Sequence, residues 1–261
     1  MTTSSLRPAA HEAGNTAASK VKYWNDVYQE PSVYGTRPSL TLIRVVRCLR
    51  VLQPPLHTFL DLGCGYGKDL FFAASALPRF RSFLGIDFSS KALRTALSFA
   101  RRRQGAHNTV RFICANLQRG LPVEPQAPLV LFSHFFLQTL TFNDRGILAA
   151  LLRERIPSGS LLFLGEYSRS HPLFLSSETT GESGTVSLRR DGYEHSVHFF
   201  SKSEILAYAQ RLGASVLYTD EFRERETIRG ARIVSSLHFG ILSFGLAENL
   251  QSTAAVLSGR M

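Results

Sequence analysis

The chain has 261 residues, 44% of them hydrophobic, and a formal net charge of +10. This length predicts one α/β domain with an added segment rather than two full domains. No apolar run approaches the about 18 residues that cross a membrane, and three scattered cysteines match neither a disulfide framework nor a zinc site. We therefore expect a cytoplasmic protein with reduced cysteines, no resident metal and no membrane anchor.

The first 56 residues divide into two predicted parts. Residues 1–19 are rich in Ser, Thr and Ala and predict a disordered lead without the residue order of a secretory signal. Residues 20–56 predict a helical segment. It begins with an aromatic stretch that includes Tyr28 and Tyr34, and it continues as an apolar stripe that follows Ser39.

The glycine-rich stretch after residue 62 is the most informative part of the sequence. An apolar run at residues 59–62 predicts a buried strand, glycines follow at 63, 65 and 67, and residues 70–77 predict a helix. Such a turn lets a ligand lie against the main chain. The dinucleotide fingerprint needs a third glycine where Lys68 stands, so NAD is disfavoured.

The next two predicted strands also end in polar side chains. The second strand ends at Asp87, about 20 residues beyond the glycines, where a βαβ unit places a carboxylate for the two ribose hydroxyls. The alternative is that Asp87 caps the helix that follows, although Ser89 is the better cap. The third strand leads into Asn116 and Leu117.

Asp61, Gly63, Gly65 and Gly67 match, residue for residue, the first motif of the class I S-adenosylmethionine-dependent methyltransferases, an acidic residue followed by Gly-x-Gly-x-Gly. The chain resembles this family over three consecutive strand–helix units. The resemblance implies an α/β fold, with a Rossmann-like, seven-stranded, mostly parallel sheet, an antiparallel C-terminal strand, helices on both faces and a β-hairpin cap insertion. It also implies S-adenosylmethionine as the cofactor.

The resemblance further implies where the cofactor binds. In this interpretation the glycine turn holds the methionine part, Asp87 the ribose, and Asn116 with Leu117 the adenine. The family commonly has Asp at the position of Asn116, and Asn keeps an acceptor oxygen without the charge. The predicted cofactor-binding residues are Asp61, Gly63, Cys64, Gly65, Gly67, Asp87, Phe88, Asn116, Leu117 and Ser133.

Two side chains at later strand ends are the catalytic candidates. His134 lies near the end of an apolar run at residues 127–136, which predicts a strand buried on both faces. It is either a site residue or a hydrogen-bonded core histidine. Glu166 follows a predicted strand at residues 160–165 and is either a base or orienting group for substrate, or a capping neighbour. The sequence leaves both choices open.

Residues 168–200 interrupt the alternation of helices and strands and predict a substrate-cap insertion. Two alternating runs flank Asp191 and Gly192, a strong hairpin signal. His195 and His198, with the two arginines of the first run, are candidates to line a pocket for an anionic or phenolic substrate. An exposed polar hairpin face is the alternative.

The remaining segments are predicted to complete the sheet. Residues 57–167 and 201–247 form the expected core, and Ser201 with Glu204 predicts a capping box at the start of a helix. Residues 248–261 are expected to fray.

Within the class, the chain resembles the tellurite-resistance and thiopurine group of small-molecule methyltransferases. The features that carry the likeness are the aromatic lead, the entry to a late helix at residues 199–201, and a last strand that contains His238. Tyr28 and Tyr34 would then belong to a lid over the substrate. The resemblance implies in-line methyl transfer to a small-molecule acceptor, such as a specialised metabolite, by a monomer or homodimer.

Two other functions are also considered. The positive charge, densest at residues 101–103, admits an RNA methyltransferase. Against it, the excess charge is spread along the chain, and the strand at residues 127–136 does not end in the Asn/Asp-Pro-Pro-Tyr sequence of enzymes that act on base amino groups. Nucleic acid is therefore not the expected partner. The other alternative is a non-catalytic partner subunit with the methyltransferase fold.

Overall fold

The computed structural model describes residues 17–30, 33–102, 110–179, 182–190, 193–228 and 231–245. Its strands are β1 (Thr58–Leu62), β2 (Ser82–Asp87), β3 (Val110–Cys114), β4 (Val130–His134), β5 (Leu161–Tyr167), β6 (Thr185–Arg190), β7 (Tyr193–His198), β8 (Ala214–Ile228) and β9 (Ala231–Phe244). Its helices are α1 (Ala17–Val27), α2 (Leu40–Leu52), α3 (Lys68–Ala76), α4 (Ser90–Arg102), α5 (Phe142–Arg155), α6 (Pro172–Leu175) and α7 (Lys202–Leu212), with one 3-10 turn at Leu137–Thr139.

Seven of the described strands form one sheet in the order β3-β2-β1-β4-β5-β9-β8. Strands β1 to β5 run parallel, and β9 pairs antiparallel with both β5 and β8. Strands β6 and β7 form a separate antiparallel hairpin. The predicted Rossmann-like fold, with an antiparallel C-terminal strand and a hairpin insertion, is confirmed.

The central strands bury both of their faces. Along each strand, successive side chains point to opposite sides of the sheet. Phe59 and Phe132 pack in a cluster with residues of α2 and α3, whereas Leu60 and Leu131 pack in a cluster with residues of α5 and α7. The continuous apolar run of β4 follows from this arrangement, because neither of its faces meets water.

Side-chain caps fix where three helices begin. The Ser39 hydroxyl accepts a hydrogen bond from a backbone N–H in the first turn of α2. Reciprocal capping boxes open α5, through Thr141 and Asp144, and α7, through Ser201 and Glu204. The capping box of α7 is the one predicted from the sequence, and α2 begins directly after Ser39, as the apolar stripe predicts.

Some elements end at residues other than those predicted from the sequence. Strand β5 extends to Tyr167, so Glu166 lies inside the strand rather than after it. Strands β8 and β9 are 15 and 14 residues long, because they continue pairing with each other beyond the end of β5. Residues 1–16 of the predicted lead, the hairpin turn at 191–192 and the tail at 248–261 lie outside the described residues. In the described part of the chain, no helix is long and apolar enough to cross a membrane.

Candidate active site

The glycine turn between β1 and α3 has a left-handed backbone. Gly63 and Gly65 have φ angles of 74° and 53°, which other residues rarely adopt. A Cβ atom on Gly63 would lie 2.6 Å from the Phe136 ring, and one on Gly65 would lie 2.6 Å from the Tyr28 hydroxyl. Space and backbone conformation therefore both require glycine at these positions.

Asp87 braces this turn from the end of β2. Its carboxylate accepts hydrogen bonds from the backbone N–H of Gly65, at 2.8 Å, and of Ser89, at 2.8 Å. Burial raises the pKa of Asp87 to about 6, against the opposing effect of these hydrogen bonds. Ser89 caps α4 through the N–H of Ala92, at 3.1 Å, as predicted. Asp87 is therefore a brace for the glycine turn and not the cap of that helix.

The residues after β3 form a local turn beside this carboxylate. The side-chain oxygen of Asn116 accepts from the backbone N–H of Gln118 at 2.9 Å, and Leu117 is buried. The backbone N–H of Ala115 donates to the carbonyl oxygen of Asp87 at 3.0 Å, which ties the ends of β2 and β3 together. Phe88 is half-buried between them. The structure thus places Asp87, Phe88, Asn116 and Leu117 next to one another.

Asp61, in β1, and Cys64, in the turn itself, are both buried. Burial, with repulsion from Asp69 and Asp87, holds the pKa of Asp61 well above its usual range. Burial likewise raises the pKa of the Cys64 thiol. The Cys64 sulfur would lie 2.7 Å from a Cβ on Gly85, so it packs closely against the next strand. An inert packing role therefore fits this cysteine.

The Glu166 carboxylate accepts hydrogen bonds from the turn that follows β4. It accepts hydrogen bonds from the Ser133 hydroxyl at 3.0 Å, the Leu137 N–H at 3.1 Å and the Gln138 N–H at 3.2 Å. Burial raises the pKa of Glu166 to about 7, and these hydrogen bonds oppose the rise. Gln138, which the sequence reasoning missed, then accepts from the Tyr167 N–H at 3.0 Å. These contacts assign Glu166 and Ser133 to bracing that turn.

His134 ends β4 and is half-buried. Its Nδ1 atom is buried without a hydrogen-bond partner among the described residues. Its ring centroid lies 3.8 Å from that of Phe135, a residue with a φ angle of 57°. Burial lowers the pKa of His134 to about 3, so the imidazole is neutral at pH 7. A neutral imidazole with this pKa is a weak proton acceptor but can hydrogen-bond.

The residues at the end of α1 and directly after it lie close to the glycine turn and to the start of α4. The Tyr28 hydroxyl lies over Gly65, and Asn25 accepts hydrogen bonds from the Ser89 hydroxyl at 2.9 Å and the Lys91 N–H at 3.2 Å. The aromatic residues of this region pack together: Tyr23, Trp24, Tyr28, Tyr34, Tyr66 and Phe99. The Tyr34 N–H donates to the Tyr66 hydroxyl at 3.1 Å. Asn25 and Tyr66 carry no motif that would have identified them from the sequence.

The β6–β7 hairpin contacts α1. The Tyr23 and His195 rings stack with centroids 4.6 Å apart, and Tyr23 Oη lies 3.3 Å from His195 Nε2. The Tyr193 hydroxyl donates to Asp26 at 2.5 Å. Lys22 bonds to Asp26 and to Tyr193. The two segments that were predicted separately as lid and cap are therefore joined. We call α1 and the hairpin together the roof.

His198 lies at the base of the hairpin. It is 2% exposed, and its two ring nitrogens lie 2.9 Å from the Thr185 hydroxyl and 3.3 Å from Glu204. Arg169 pairs with the same Glu204 carboxylate at 3.0 Å. These contacts anchor the hairpin to the start of α7. The structure brings His195 to the roof, but it does not bring His198 together with the other predicted substrate residues.

The fold and this site define a class, an open α/β domain that binds a ligand at the carboxyl ends of its parallel strands. Residues 59–159 match the sequence model of the family described as a methyltransferase domain. No curated protein sequence matches the chain significantly.

Solved structures give the same fold at low sequence identity. A S-adenosylmethionine-dependent methyltransferase from Methanosarcina mazei is 21% identical, with a TM-score of 0.62 over 76% of this chain and 97% of its own. A protein that converts a disulfide bond into a thioacetal group during echinomycin biosynthesis is 15% identical, with a TM-score of 0.61 over 92% and 99%. The glycopeptide N-methyltransferase MtfA, solved with S-adenosylmethionine, is 13% identical, with a TM-score of 0.54 over 78% and 94%.

Residues 59–159 are thus similar to a methyltransferase domain, and the fold is that of proteins described as S-adenosylmethionine-dependent methyltransferases, one of which was solved with S-adenosylmethionine as cofactor. The residues present fit that cofactor. A carboxylate stands at the end of β2, an amide and an apolar side chain follow β3, and a glycine-rich turn joins β1 to α3. The described residues contain no group of three or more His, Cys, Asp or Glu side chains arranged to hold a metal ion.

Proposed function

We propose that this chain is a S-adenosylmethionine-dependent methyltransferase that acts on a small-molecule acceptor, such as a specialised metabolite. The observation that carries the proposal is the roof: α1 and the β6–β7 hairpin meet through Tyr23 and His195, and Tyr28, directly after α1, lies over the glycine turn. A covered cleft suits an acceptor that the protein can enclose. Two proteins with the same fold, from echinomycin biosynthesis and from glycopeptide methylation, lend support by analogy of fold alone.

The cofactor is proposed to lie along the ends of the first three strands. Asp87 receives the ribose hydroxyls, because a carboxylate oxygen that already accepts one hydrogen bond retains a free lone pair. Asn116, Leu117 and Phe88 flank the adenine. The glycine turn and Asp61 hold the methionine part, and Cys64 packs beneath it.

Methyl transfer by in-line displacement mainly requires that the acceptor atom, the methyl group and the sulfur be aligned. When bound, S-adenosylmethionine supplies a methyl group on a sulfonium sulfur, which leaves as a neutral thioether. The chain contributes by aligning the acceptor and excluding water, and orientation alone can supply roughly 7 to 11 kcal/mol. Tyr28, Tyr34 and His195 of the roof region are proposed to face the acceptor, whereas His198 anchors the hairpin.

His134 and Glu166 are proposed to act differently from each other. His134 is neutral and has a buried Nδ1 without a partner, so it orients an acceptor by hydrogen bonding rather than by removing a proton. Glu166 is a positioning residue for the turn after β4, because its three hydrogen bonds all go to that turn or to Ser133. We also propose that the chain belongs with the tellurite-resistance and thiopurine group, whose members methylate small molecules.

The experiment that tests this function is methyl transfer from labelled S-adenosylmethionine. The protein is incubated with fractionated host metabolites and, in parallel, with total RNA, and the labelled product is identified by mass. Label in a metabolite fraction, absent with the Asp87→Ala variant, is the expected result. Label in RNA would favour the RNA methyltransferase alternative. Cofactor binding without transfer to any fraction would favour the partner subunit.

A further inference from the structure

Arg145 of α5 is a buried charged side chain that the function described so far does not use. It is 5% exposed, and its guanidinium carbon lies 5.4 Å from the centroid of the Phe200 ring. Burial lowers the pKa of Arg145, and the negative charges of Glu182 and Glu204 oppose this effect. A buried charge is costly unless it has fixed partners, so the partners of this arginine show what it holds together.

The two terminal nitrogens of the Arg145 guanidinium bind two different segments. Nη1 donates to the backbone carbonyl oxygen of Leu140 at 2.6 Å, and Nη2 donates to the Glu182 carboxylate. Leu140 directly follows the 3-10 turn after β4, and Glu182 lies shortly before β6. Arginine can serve both acceptors because its planar group carries several donors in a fixed fork. Arg145 therefore joins the turn after β4 to the start of the hairpin.

The contacts continue from Glu182 to the other strand of the hairpin. His198, the last residue of β7, has its Nδ1 atom 3.4 Å from Glu182 and its Nε2 atom 3.3 Å from Glu204. Glu204 belongs to the capping box of α7 and also pairs with Arg169 at 3.0 Å. Both strands of the hairpin are thus fastened at the same end. We call Arg145, Glu182, His198 and Glu204 the base network.

The turn that Arg145 reaches is the turn that Glu166 braces. Glu166 accepts hydrogen bonds from the N–H groups of Leu137 and Gln138 at the beginning of this turn, whereas Arg145 binds a carbonyl oxygen at its end. The same turn follows β4 closely, and β4 ends at His134. The base network therefore connects the hairpin to the part of the site that is proposed to orient the acceptor.

The base network is less open to water than the contact between the hairpin and α1. Arg145 and His198 are buried, whereas the hydrogen bond from Tyr193 to Asp26 is exposed. Breaking a buried charge pair costs more free energy than breaking an exposed one. The hairpin is therefore held more firmly at its base than at the place where it meets α1.

We propose that Arg145 is a positioning residue that, through Glu182 and His198, fixes the base of the hairpin to the turn after β4, so that the roof closes over the acceptor in one orientation. The inference rests on the proposed function, in which the roof covers the acceptor and His134 orients it. Arg145 does not touch the acceptor itself. Its effect on the reaction comes through alignment, and a displacement of about 1 Å can lower a rate by roughly 100-fold.

The test uses Arg145→Met, Glu182→Gln, the double variant, and Arg155→Met as the matched control. Arg155 is an arginine of the same helix, but its side chain and its partners Glu124 and Glu154 are exposed. Amide hydrogen exchange measures the protection of β6 and β7 in each protein. Methyl transfer to the metabolite fraction that the wild type labels, at a series of dilutions, gives the apparent kcat/KM for the acceptor. A second series gives the apparent KM for S-adenosylmethionine.

We expect Arg145→Met to raise exchange in β6 and β7 by about 10-fold or more, the scale of a lost hydrogen bond to a charged group, and to change exchange in β1 and β2 by less than about twofold. Glu182→Gln raises hairpin exchange less. The double variant exchanges no faster than Arg145→Met, because both substitutions remove the same link. The apparent kcat/KM for the acceptor falls by about 10-fold or more in Arg145→Met, while the KM for S-adenosylmethionine stays within about twofold. Arg155→Met behaves as the wild type.

Four results would overturn the inference. Unchanged hairpin exchange in Arg145→Met would mean that the hairpin is held by other contacts, and an equal rise in β1 and β2 would mean that Arg145 stabilises the whole domain. Additive effects of Arg145→Met and Glu182→Gln would show that they do not form one link. Faster hairpin exchange with a normal kcat/KM for the acceptor would remove the positioning role.

Two further arms keep the test decisive. If Arg145→Met does not fold, Glu182→Gln decides, and unchanged hairpin exchange in that variant would overturn the inference. If the wild type methylates no fraction, the proposed function is overturned, whereas the exchange measurements still decide whether Arg145 holds the hairpin.

Discussion

The proposed cofactor half of the site, formed by β1, β2, β3 and the turns after them, is held together differently from the roof. In the cofactor half, the N–H groups of Gly63 and Cys64 donate to the Ile86 carbonyl at 2.8 and 3.0 Å, and Gly65 donates to Asp87. Adjacent strand ends thus fasten each other through the main chain. Such contacts are formed by neighbouring elements and leave little freedom.

The roof depends instead on side chains from segments about 170 residues apart. Tyr23 contacts His195, and Tyr193 contacts Asp26, across an interface that is partly open to water. Exposed contacts of this kind contribute little each and open at low cost. The difference fits the proposed function, in which a preformed cofactor site lies beneath a cover that opens for the acceptor.

A substitution in the glycine turn should have the largest effect on ligand binding. We expect Gly65→Arg to weaken binding of S-adenosylhomocysteine by roughly 100-fold or more, because a side chain at a φ angle of 53° is strained and collides with the Tyr28 hydroxyl. Calorimetry measures the affinity. Gly146→Ala on α5 is the control, since its Cβ would lie at an ordinary van der Waals distance, 3.9 Å, from the Arg211 side chain, and it should bind normally with slightly raised stability. Normal binding by Gly65→Arg would show that the turn is not the cofactor site.

A substitution at Glu166 tests how much its hydrogen bonds to backbone N–H groups stabilise the protein. Glu166→Ala should lower the free energy of unfolding by about 3 kcal/mol, because the N–H groups of Leu137 and Gln138 lose their buried acceptor. Urea denaturation measures the loss. Glu154→Ala, at an exposed position of α5, should change stability by less than about 0.5 kcal/mol. Full stability of Glu166→Ala with lost activity would instead restore the catalytic role.

Features set by neighbouring residues could be predicted from the sequence, whereas contacts between distant elements could not. Asp61, the three glycines, Asp87 and the hairpin follow from local patterns, because turn geometry and strand periodicity are written in neighbouring residues. The roles of Glu166 and His198 depend on partners contributed by distant elements. Glu166 meets backbone donors of the turn after β4, and His198 meets Glu204 of α7, so these contacts could not be read from neighbouring residues, and the site roles of both side chains stay predictions.

The buried Glu224 carboxyl should make the free energy of unfolding depend on pH. The pKa of Glu224 is raised by burial from 4.5 to about 7. The folded protein therefore binds the proton more tightly than the unfolded chain, so the stability from this group is complete below pH 4.5 and is lost as pH rises through 7. Glu224→Gln should reduce the fall in unfolding free energy between pH 4.5 and 7 by about 1 to 3 kcal/mol. The same slope in wild type and variant would contradict this.

Phe135 carries strain at the boundary between the two regions. Its φ angle is 57°, and its ring contacts Tyr167 with a centroid distance of 4.5 Å. Phe135→Gly and Phe135→Ala both remove the ring, but only glycine relieves the backbone. We expect the glycine variant to be more stable than the alanine variant by about 1 kcal/mol, which reverses the usual order of these residues. Thermal unfolding of the pair measures it, and equal stabilities would mean that the backbone relaxes without strain.

The smallest expected effect lies in the roof itself. Tyr193→Phe removes the hydroxyl that donates to Asp26, and because the contact is exposed, global stability should change by less than about 0.5 kcal/mol. Amide hydrogen exchange in β6 and β7 should nevertheless rise by roughly twofold, since the hairpin opens by local rather than global unfolding. Exchange in β1 and β2 serves as the internal control and should not change. If both regions accelerated together, the roof would open only with the whole domain, and the separation between a fixed cofactor half and an opening cover would not hold.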